Sequence, residues 1–218
     1  MNGIVQERRL MMSDTPAPSG RPKDPKRHAS ILSAARAAFL RNGFDATSIE
    51  AIARTAGVSK VTVYGHFGSR EALLEAVIAA EAEAINRALE ASPVQDGDLA
   101  QQLTAFGLHL MTILKERDAF DLEHLVRARA SQQPQVAQTY FECGPARSIA
   151  RLAEILEPAL GHRAPEASEM LFALWSGGGM TRVSLGLRPA LPEDEVRRHI
   201  ATSVAVIMRA YVGRGEIR

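Results

Sequence analysis

Apolar residues recur at intervals of three and four along most of the chain after residue 25, and the period-two alternation of strands is absent. This pattern predicts helices throughout, so the expected fold class is all-α. Several segments begin with proline, which is tolerated in the first turn of a helix. The predicted helices cover residues 25–41, 47–56, 59–67, 70–91, 98–115, 118–130, 134–142, 145–160, 165–185 and 192–212.

Residues 47–70 read as two short helices joined by a tight turn. Thr47 and Glu50 have the spacing of a capping box at the start of the first helix. Gly57 can take the positive φ that ends this helix, and Ser59 is a suitable N-cap for the second. The segment therefore predicts a helix-turn-helix, in which the second helix enters a DNA major groove.

The second of these helices has one apolar face and one mixed face. Val63 and Phe67 lie one turn apart and are expected to point into the core. The opposite surface then carries small, hydroxyl, aromatic and basic groups, which suit contacts with phosphates and base edges. Those groups are Lys60, Val61, Thr62, Tyr64, Gly65 and His66. Half-buried packing of the aromatic groups and simple solvation of the lysine are the alternatives.

The segment FLRNGFDATSIEAIARTAGVSKVTVYGHFGSREALLEAV resembles the DNA-binding domain of TetR-family transcriptional regulators. The match runs from about Arg27 to Val77 and departs at Gly65, where the family has a larger side chain, and at Arg70, where lysine is commoner. The resemblance implies DNA contacts, and direct base readout by a helix carrying Gly65 is expected to be thin. The candidate DNA-binding residues are Thr47, Ser48, Ser59, Lys60, Val61, Thr62, Tyr64, Gly65, His66 and Arg70.

The order of the later helices resembles the regulatory domain of the same family, and the segment HLVRARASQQPQVAQTYFECGPARSIARLAEIL is similar to its AefR-like branch. The resemblance implies a homodimer formed by the helices predicted at 165–185 and 192–212. It also implies a small-molecule effector that releases a repressor from a palindromic operator. One face of the last helix carries the residues expected at the dimer interface, namely Ile200, Val204, Ile207, Met208 and Tyr211.

A set of bulky side chains in the second half could either enclose a ligand pocket or form plain core. The family resemblance favours the pocket. The candidate ligand-binding residues are Phe106, His109, Phe120, His124, Tyr140, Phe141, Phe172 and Trp175, with Met111 and Met180 among the same bulky groups. Residues 175–179, WSGGG, interrupt a helix at a cost of about 1 kcal/mol per glycine, which a ligand, a close helix contact or a kink would explain.

A chain of 218 residues suggests two domains. We expect a disordered basic arm over residues 1–25, a DNA-binding domain over 26–70 and a regulatory and dimerisation domain over 71–218. Residues 1–70 hold 11 Lys or Arg against 5 Asp or Glu, and the remainder hold 15 against 20. A basic front half and an acidic back half fit nucleic-acid binding by one domain, although chance would also produce this imbalance. Arg21, Lys23, Lys26 and Arg27 could reach a minor groove or remain solvated.

Several classes of protein find no support. Cys143 is the only cysteine, and neither a signal peptide nor an apolar run of membrane-spanning length is present, so a cytoplasmic protein is expected. His109, His124 and Cys143 lack the spacing of a metal site, and no cofactor motif or catalytic constellation occurs. The main alternative to a regulator is a helical small-molecule-binding protein whose DNA-binding domain is vestigial.

Overall fold

The computed structural model describes residues 24–91, 97–187 and 189–213. Within these ranges the chain forms eleven α-helices and no strand, which confirms the all-α prediction. The predicted basic arm lies outside them, apart from its last two residues. The helices are α1 (Pro25–Asn42), α2 (Ile49–Ala56), α3 (Lys60–Phe67), α4 (Arg70–Glu90), α5 (Leu99–Glu116), α6 (Ala119–Arg129), α7 (Pro134–Cys143), α8 (Pro145–Leu160), α9 (Ala164–Ser176), α10 (Gly179–Ser184) and α11 (Glu193–Ile207).

The caps of the first four helices position the helix-turn-helix. Gly57 ends α2 with φ of 68°, and the Ser59 and Ser69 side chains cap α3 and α4, as predicted. The capping box at Thr47 is wrong. Ser48 is the N-cap of α2, and its hydroxyl accepts a hydrogen bond from the Ala51 amide at 3.2 Å.

Thr47 lies one position too early to cap α2 and is buried instead. Its hydroxyl donates to the carbonyl oxygen of Gly43 at 2.7 Å and lies 3.2 Å from that of Ala38. The Gly43 carbonyl lies just past the end of α1 and has no helical partner, so the threonine hydroxyl satisfies it. Thr47 therefore holds the turn between α1 and α2 together, and its side chain faces away from solvent.

The glycine-rich run divides the helix predicted at 165–185. Helix α9 ends at Ser176, and α10 begins at Gly179 after Gly178 has taken φ of 59°, a conformation that favours glycine. The chain end also differs from the prediction, because α11 passes into a π-helical segment at Met208–Val212. Of the three explanations for the glycines, the kink comes nearest to the structure, in which the helix is interrupted after Ser176 and a separate short helix begins at Gly179.

Two hydrophobic cores organise the packing. The first, which we call the DNA-side core, joins α1–α4 to α6 and α7 through residues such as Ile52, Val63 and Leu122. The second, the C-terminal core, joins α5 to α8–α11 around Trp175. Leu122 and its neighbours on α6 belong to the first core, and α1 packs directly on α6, so the DNA-side helices are joined to part of the predicted regulatory segment.

The predicted dimer face of the last helix is already used within the chain. Ile200, Val204 and Ile207 are at most 2% exposed, and Tyr211 is also buried, all in the C-terminal core. The prediction that this face forms a subunit interface is wrong, because the apolar stripe of α11 is needed to pack on α5 and α9.

A buried carboxylate ties three helices together at the boundary of the two cores. Glu81 on α4 accepts hydrogen bonds from Arg36 of α1 and from Arg117 at the end of α5, each at 2.7 Å. Arg36 also lies 3.7 Å from Asp118, which begins α6 in a left-handed conformation with φ of 50°. The two arginines together compensate the charge of Glu81, which burial would otherwise penalise.

A second polar contact joins the other end of α6 to the turn after α1. Arg129 binds both carboxylate oxygens of Asp45, at 2.9 and 3.0 Å. Its guanidinium also lies 4.6 Å from the centre of the Phe44 ring, and that of Arg70 lies 4.2 Å from the same ring. Helix α6 is therefore attached to the DNA-side helices near both of its ends.

Candidate nucleic-acid interface and internal cavity

Helix α3 presents an exposed surface on the side opposite its buried face. Val63 is buried and Phe67 half-buried, which confirms the predicted rotation of the helix. On the opposite side the Val61 side chain is 79% exposed and that of Tyr64 is 42% exposed. Gly65 is also exposed, and the space where its side chain would lie is open. This surface offers one methyl-bearing group and one phenol to a partner.

The N-termini of α2 and α3 both carry serine hydroxyls at the surface. Ser59 accepts from the Thr62 amide at 3.1 Å, and the two hydroxyls lie 2.8 Å apart. Ser48 has the equivalent capping role on α2. Amide groups at a helix N-terminus attract anions, so these two sites suit phosphate oxygens.

A cleft of about 400 Å³ lies beside the N-terminus of α3 and is open to solvent. Lys26, Arg27 and Ser30 on α1 line one side, and Ser59 and Thr62 line the other. Cationic and hydroxyl groups facing a helix N-terminus form a setting for an anion. The first helix thus adds two of the predicted basic residues to the same surface.

Lys60 forms an ion pair with Glu50 across the turn, with both side chains largely exposed. Their hydrogen bond raises the pKa of Lys60 and lowers the pKa of Glu50, so both remain charged near neutral pH. The ammonium group also lies 5.8 Å from the centre of the Tyr64 ring. A phosphate that binds Lys60 must therefore compete with a carboxylate.

Two further candidate residues turn inward in this structure. Arg70 donates to the carbonyl oxygen of Thr47 at 3.0 Å and stacks on Phe44. The half-buried ring of His66 lies 5.8 Å from that of His28 on α1. Both side chains stabilise the arrangement of the first four helices, as the packing alternative anticipated for the histidine.

A partly open cavity of about 700 Å³ lies where the two hydrophobic cores meet. Helix α4 contributes Ile78 and helix α6 contributes Leu122 from the DNA-side core, whereas the C-terminal core contributes Trp175. Five of the eight candidate ligand-binding residues line it, together with Met111 and Met180. The five are Phe120, Tyr140, Phe141, Phe172 and Trp175.

The other three candidates lie outside this cavity. Phe106 stacks on the ring of Trp175, with centroids 6.3 Å apart, and fills core. The imidazole of His109 lies 3.3 Å from the Ala88 carbonyl oxygen on α4, and His124 is exposed on α6. On α5 the face that carries Leu110 and Met111 points to the cavity, so the adjacent His109 points to α4 instead.

The polar part of the cavity was missed from the sequence. Glu123 and Arg127 on α6 line it and pair with each other, with the Arg127 Nε 2.8 Å from the Glu123 Oε1. Their i, i+4 spacing and the nearby Phe120 were the available signal. Burial, with a smaller effect of Glu123, raises the pKa of Tyr140, so its phenol stays neutral. The indole N–H of Trp175 is buried with no hydrogen-bond partner among the residues that the structure describes.

Comparison with known proteins identifies both parts of the chain. A family model described as bacterial regulatory proteins of the tetR family matches residues 31–77. A second model, described as the C-terminal domain of AefR-like transcriptional repressors, matches residues 101–213. The chain belongs to the TetR family of transcriptional regulators. Proteins of this family are described as bacterial regulatory proteins and transcriptional repressors.

The chain spans about half or less of the length of the curated relatives that it matches. A transcriptional regulator of Bacillus subtilis named YdeS, itself uncharacterised, is 32% identical over 110 residues, which is 50% of this chain and 52% of that protein. The Escherichia coli transcriptional regulator UidR is 45% identical over 53 residues, covering 24% of this chain and 27% of its own.

Solved structures of TetR-like proteins match the whole architecture. A Mesorhizobium loti protein described as a TetR-family transcriptional regulator has a TM-score of 0.78 at 27% identity, covering 88% of this chain and all of that one. The flavonoid-responsive regulator FrrA has a TM-score of 0.73 at 29% identity with the same coverage. The AefR-like TetR fold is therefore established for this chain.

Neither a membrane span nor a metal site is present in the described part of this TetR-family chain. None of its described helices is both long enough and apolar enough to cross a bilayer. Within the same residues no three His, Cys, Asp or Glu side chains are grouped as metal ligands would be. Cys143 is a half-buried free thiol.

Proposed function

We propose that this protein is a ligand-responsive repressor that binds a near-palindromic DNA operator as a homodimer and is released by a small molecule. The observation that carries the proposal is the position of α6. This helix lines the cavity through Phe120 and Glu123, and Arg129 at its other end binds the turn after α1. A ligand in the cavity would therefore press on a helix that holds the DNA-binding domain.

The DNA-binding role is proposed for the exposed surface around α3. Val61 would contact a thymine methyl group, while Lys60, Thr62 and Tyr64 would bind phosphates or base edges. Ser48 and Ser59 would place helix N-termini against phosphates. Gly65 allows close approach of the helix backbone, whereas Thr47, His66 and Arg70 support the domain through internal contacts.

The homodimer is proposed to use the outer faces of α9 and α11. Met170 and Leu174 on α9 are 48% and 38% exposed, and Val206 on α11 is 49% exposed. Burial of such side chains stabilises a subunit interface. In a symmetric dimer the two α3 helices would enter successive major grooves about 34 to 36 Å apart.

The proposed release mechanism is a shift between two arrangements of the DNA-binding domains. A ligand that binds better to the arrangement with the wrong spacing lowers DNA affinity by the same free-energy difference. Both α4 and α6 line the cavity and carry the contacts of Glu81 and Arg129 to the DNA-side helices. The name of FrrA, a flavonoid-responsive regulator, supports an effector for this architecture. We place this activity in the cytoplasm, with residues 26–70 as the DNA-binding domain and 71–218 as the regulatory domain.

Fluorescence anisotropy with DNA from upstream of the protein's own gene tests the DNA claim. Binding should weaken as salt rises, because counterions are released from the phosphates. A flat salt dependence or no binding would refute it. Sedimentation velocity on the same samples should give a dimer, and Met170→Lys should yield monomers with weaker DNA binding.

The vestigial alternative is favoured by Gly65 and by the Lys60–Glu50 pair, since both reduce what α3 can offer to DNA. It predicts ligand binding that DNA does not alter. Titrating a cavity ligand with and without the operator therefore separates the two proposals, because linkage requires the repressor to bind its ligand more weakly on DNA.

A further inference from the structure

The walls of the cavity are mainly apolar and aromatic. The rings of Phe120, Phe172 and Trp175 line it together with the thioethers of Met111 and Met180. Such side chains bind through buried apolar area and aromatic stacking, and methionine adapts to the shape of the ligand. About 700 Å³ is within the range of cavities that hold drug-sized molecules. The shape and chemistry fit an aromatic ligand.

The charged groups of the cavity disfavour an ionic ligand. Arg127 donates from both Nε and Nη2 to a single oxygen, Oε1 of Glu123. An anion would meet the carboxylates of Glu123 and Glu169 on the cavity wall, and the guanidinium of Arg127 is already paired with one of them. A cation would be repelled by the guanidinium of Arg127, and the second carboxylate of the wall, Glu169, is exposed to solvent. A neutral ligand avoids both costs.

One donor and one acceptor in the wall of the same cavity remain available. The hydroxyl of Tyr140 makes no hydrogen bond to any residue that the structure describes, and burial keeps it protonated by raising its pKa. Because both Arg127 bonds go to Oε1 of Glu123, its Oε2 is left for another donor. A hydroxyl group on a ligand can accept from the phenol and donate to the carboxylate.

We propose that the effector is an uncharged aromatic molecule whose hydroxyl group hydrogen-bonds to Tyr140 and Glu123. This rests on the proposed function, because it assigns a chemical class to the ligand of the same cavity. The hydroxyl orients the ligand against α6 and α7, and its rings fill the space toward Trp175.

Three matched probes test the proposal: 4-hydroxybiphenyl, biphenyl and biphenyl-4-carboxylate. Calorimetric titration of the full chain at pH 7 should show 4-hydroxybiphenyl binding about fivefold to tenfold more tightly than biphenyl, as expected for one net hydrogen-bond exchange. The carboxylate should bind most weakly. The chain has a single tryptophan, Trp175, so its emission should change when either neutral probe enters the cavity.

Tyr140→Phe should reduce the preference for 4-hydroxybiphenyl over biphenyl to less than about twofold. Tyr64→Phe is the matched control, because this tyrosine lies on α3 and should leave the preference unchanged. The proposal is overturned if the carboxylate binds most tightly, if none of the probes binds, or if Tyr140→Phe keeps the full preference. Anisotropy with the operator in the same samples separates the two proposals: DNA binding without the probe ranking refutes the effector class, whereas the ranking without DNA binding refutes the repressor.

Discussion

The two hydrophobic cores are stabilised by different kinds of contact. The DNA-side core is bordered by polar contacts, with Glu81 held by two arginines and Asp45 held by Arg129. The C-terminal core relies on close packing, as where Trp175 meets the backbone of α5 at Gly107. The cavity lies between them and takes residues from both. Directional contacts maintain the geometry of the DNA-side helices, while the space beside them can accept a ligand.

The contrast between the two cores also indicates that α6 couples the cavity to the DNA-side helices. Helix α6 packs in the DNA-side core through Leu122 and Leu125, lines the cavity through Phe120, and ends at Arg129 on the turn before α2. Packed cores deform little, so a displacement of α6 should appear as a rearrangement of its polar contacts. The predictions that follow test the two cores separately.

The largest effect should come from filling the close contact in the C-terminal core. A Cβ at Gly107 would lie 2.8 Å from Trp175 and 2.9 Å from Ile200, so Gly107→Val should destabilise the protein by about 3 kcal/mol. Gly65→Val is the control, since its Cβ would meet open space and its stability should stay within about 0.5 kcal/mol of the wild type. Urea unfolding monitored by circular dichroism measures both. Equal losses would show that the core adapts where we infer close packing.

Breaking the polar border of the DNA-side core should have a smaller effect on stability. Glu81→Gln removes a buried charge partner from Arg36 and Arg117, and because both arginines are partly exposed we expect a loss of about 1–2 kcal/mol. Glu83→Gln, which affects a pair with Arg147 that is about half exposed, should change stability by less than about 0.5 kcal/mol. The same urea series compares them. If the two variants behave alike, the buried pair has no special role.

Weakening or strengthening one phosphate contact should change DNA affinity without affecting either core. Lys60→Ala should lower affinity by up to about tenfold and reduce the slope of log affinity against log salt by about one. Glu50→Gln should act in the opposite direction, because it removes the competing carboxylate. Since the pKa of Glu50 is lowered, this gain should be constant between pH 6 and 8. Opposite signs in anisotropy titrations would support the assignment, and equal affinities in all three proteins would contradict it.

The smallest effect is expected for the contact at the end of α6. Asp45 is 78% exposed on its side chain, so Arg129→Gln should cost at most about 1 kcal/mol in urea. Release of DNA by a cavity ligand should nevertheless become less complete, because α6 loses one attachment. Arg151→Gln, which affects an exposed pair within α8, should leave the release unchanged. An unaltered ligand response in Arg129→Gln would exclude this route.

The surface of α3 was predictable because it depends on one helix. Val63 alone sets the rotation, and Val61, Tyr64 and Gly65 then follow from 100° per residue. Ser59 and Gly57 bound the helices by local backbone chemistry. The predicted cap of α2 at Thr47 was wrong by one position, because Thr and Ser are both good N-caps. Only the hydrogen bonds of Thr47 at the end of α1 decide that its hydroxyl turns inward and that Ser48 caps α2.

The cavity was predictable only in part because it depends on six or more helices at once. Phe120, Tyr140 and Trp175 line it, whereas His109, an equally plausible candidate, faces α4. The i, i+4 spacing of Glu123 and Arg127 predicts that they pair, but nothing in the sequence shows that this pair lines the cavity. Periodicity identifies the buried stripe of a helix and leaves open which neighbour that stripe will meet.

The sequence by itself determined the all-α class, the helix-turn-helix and the exposed face of α3, because helix period and capping act over a few residues. The tertiary structure decided where α6 lies and which aromatic residues surround the cavity. It also decided that the apolar face of α11 is buried within the chain. The physical reason is that each helix can bury its apolar stripe in several ways of similar free energy, and only simultaneous packing of all the helices selects one.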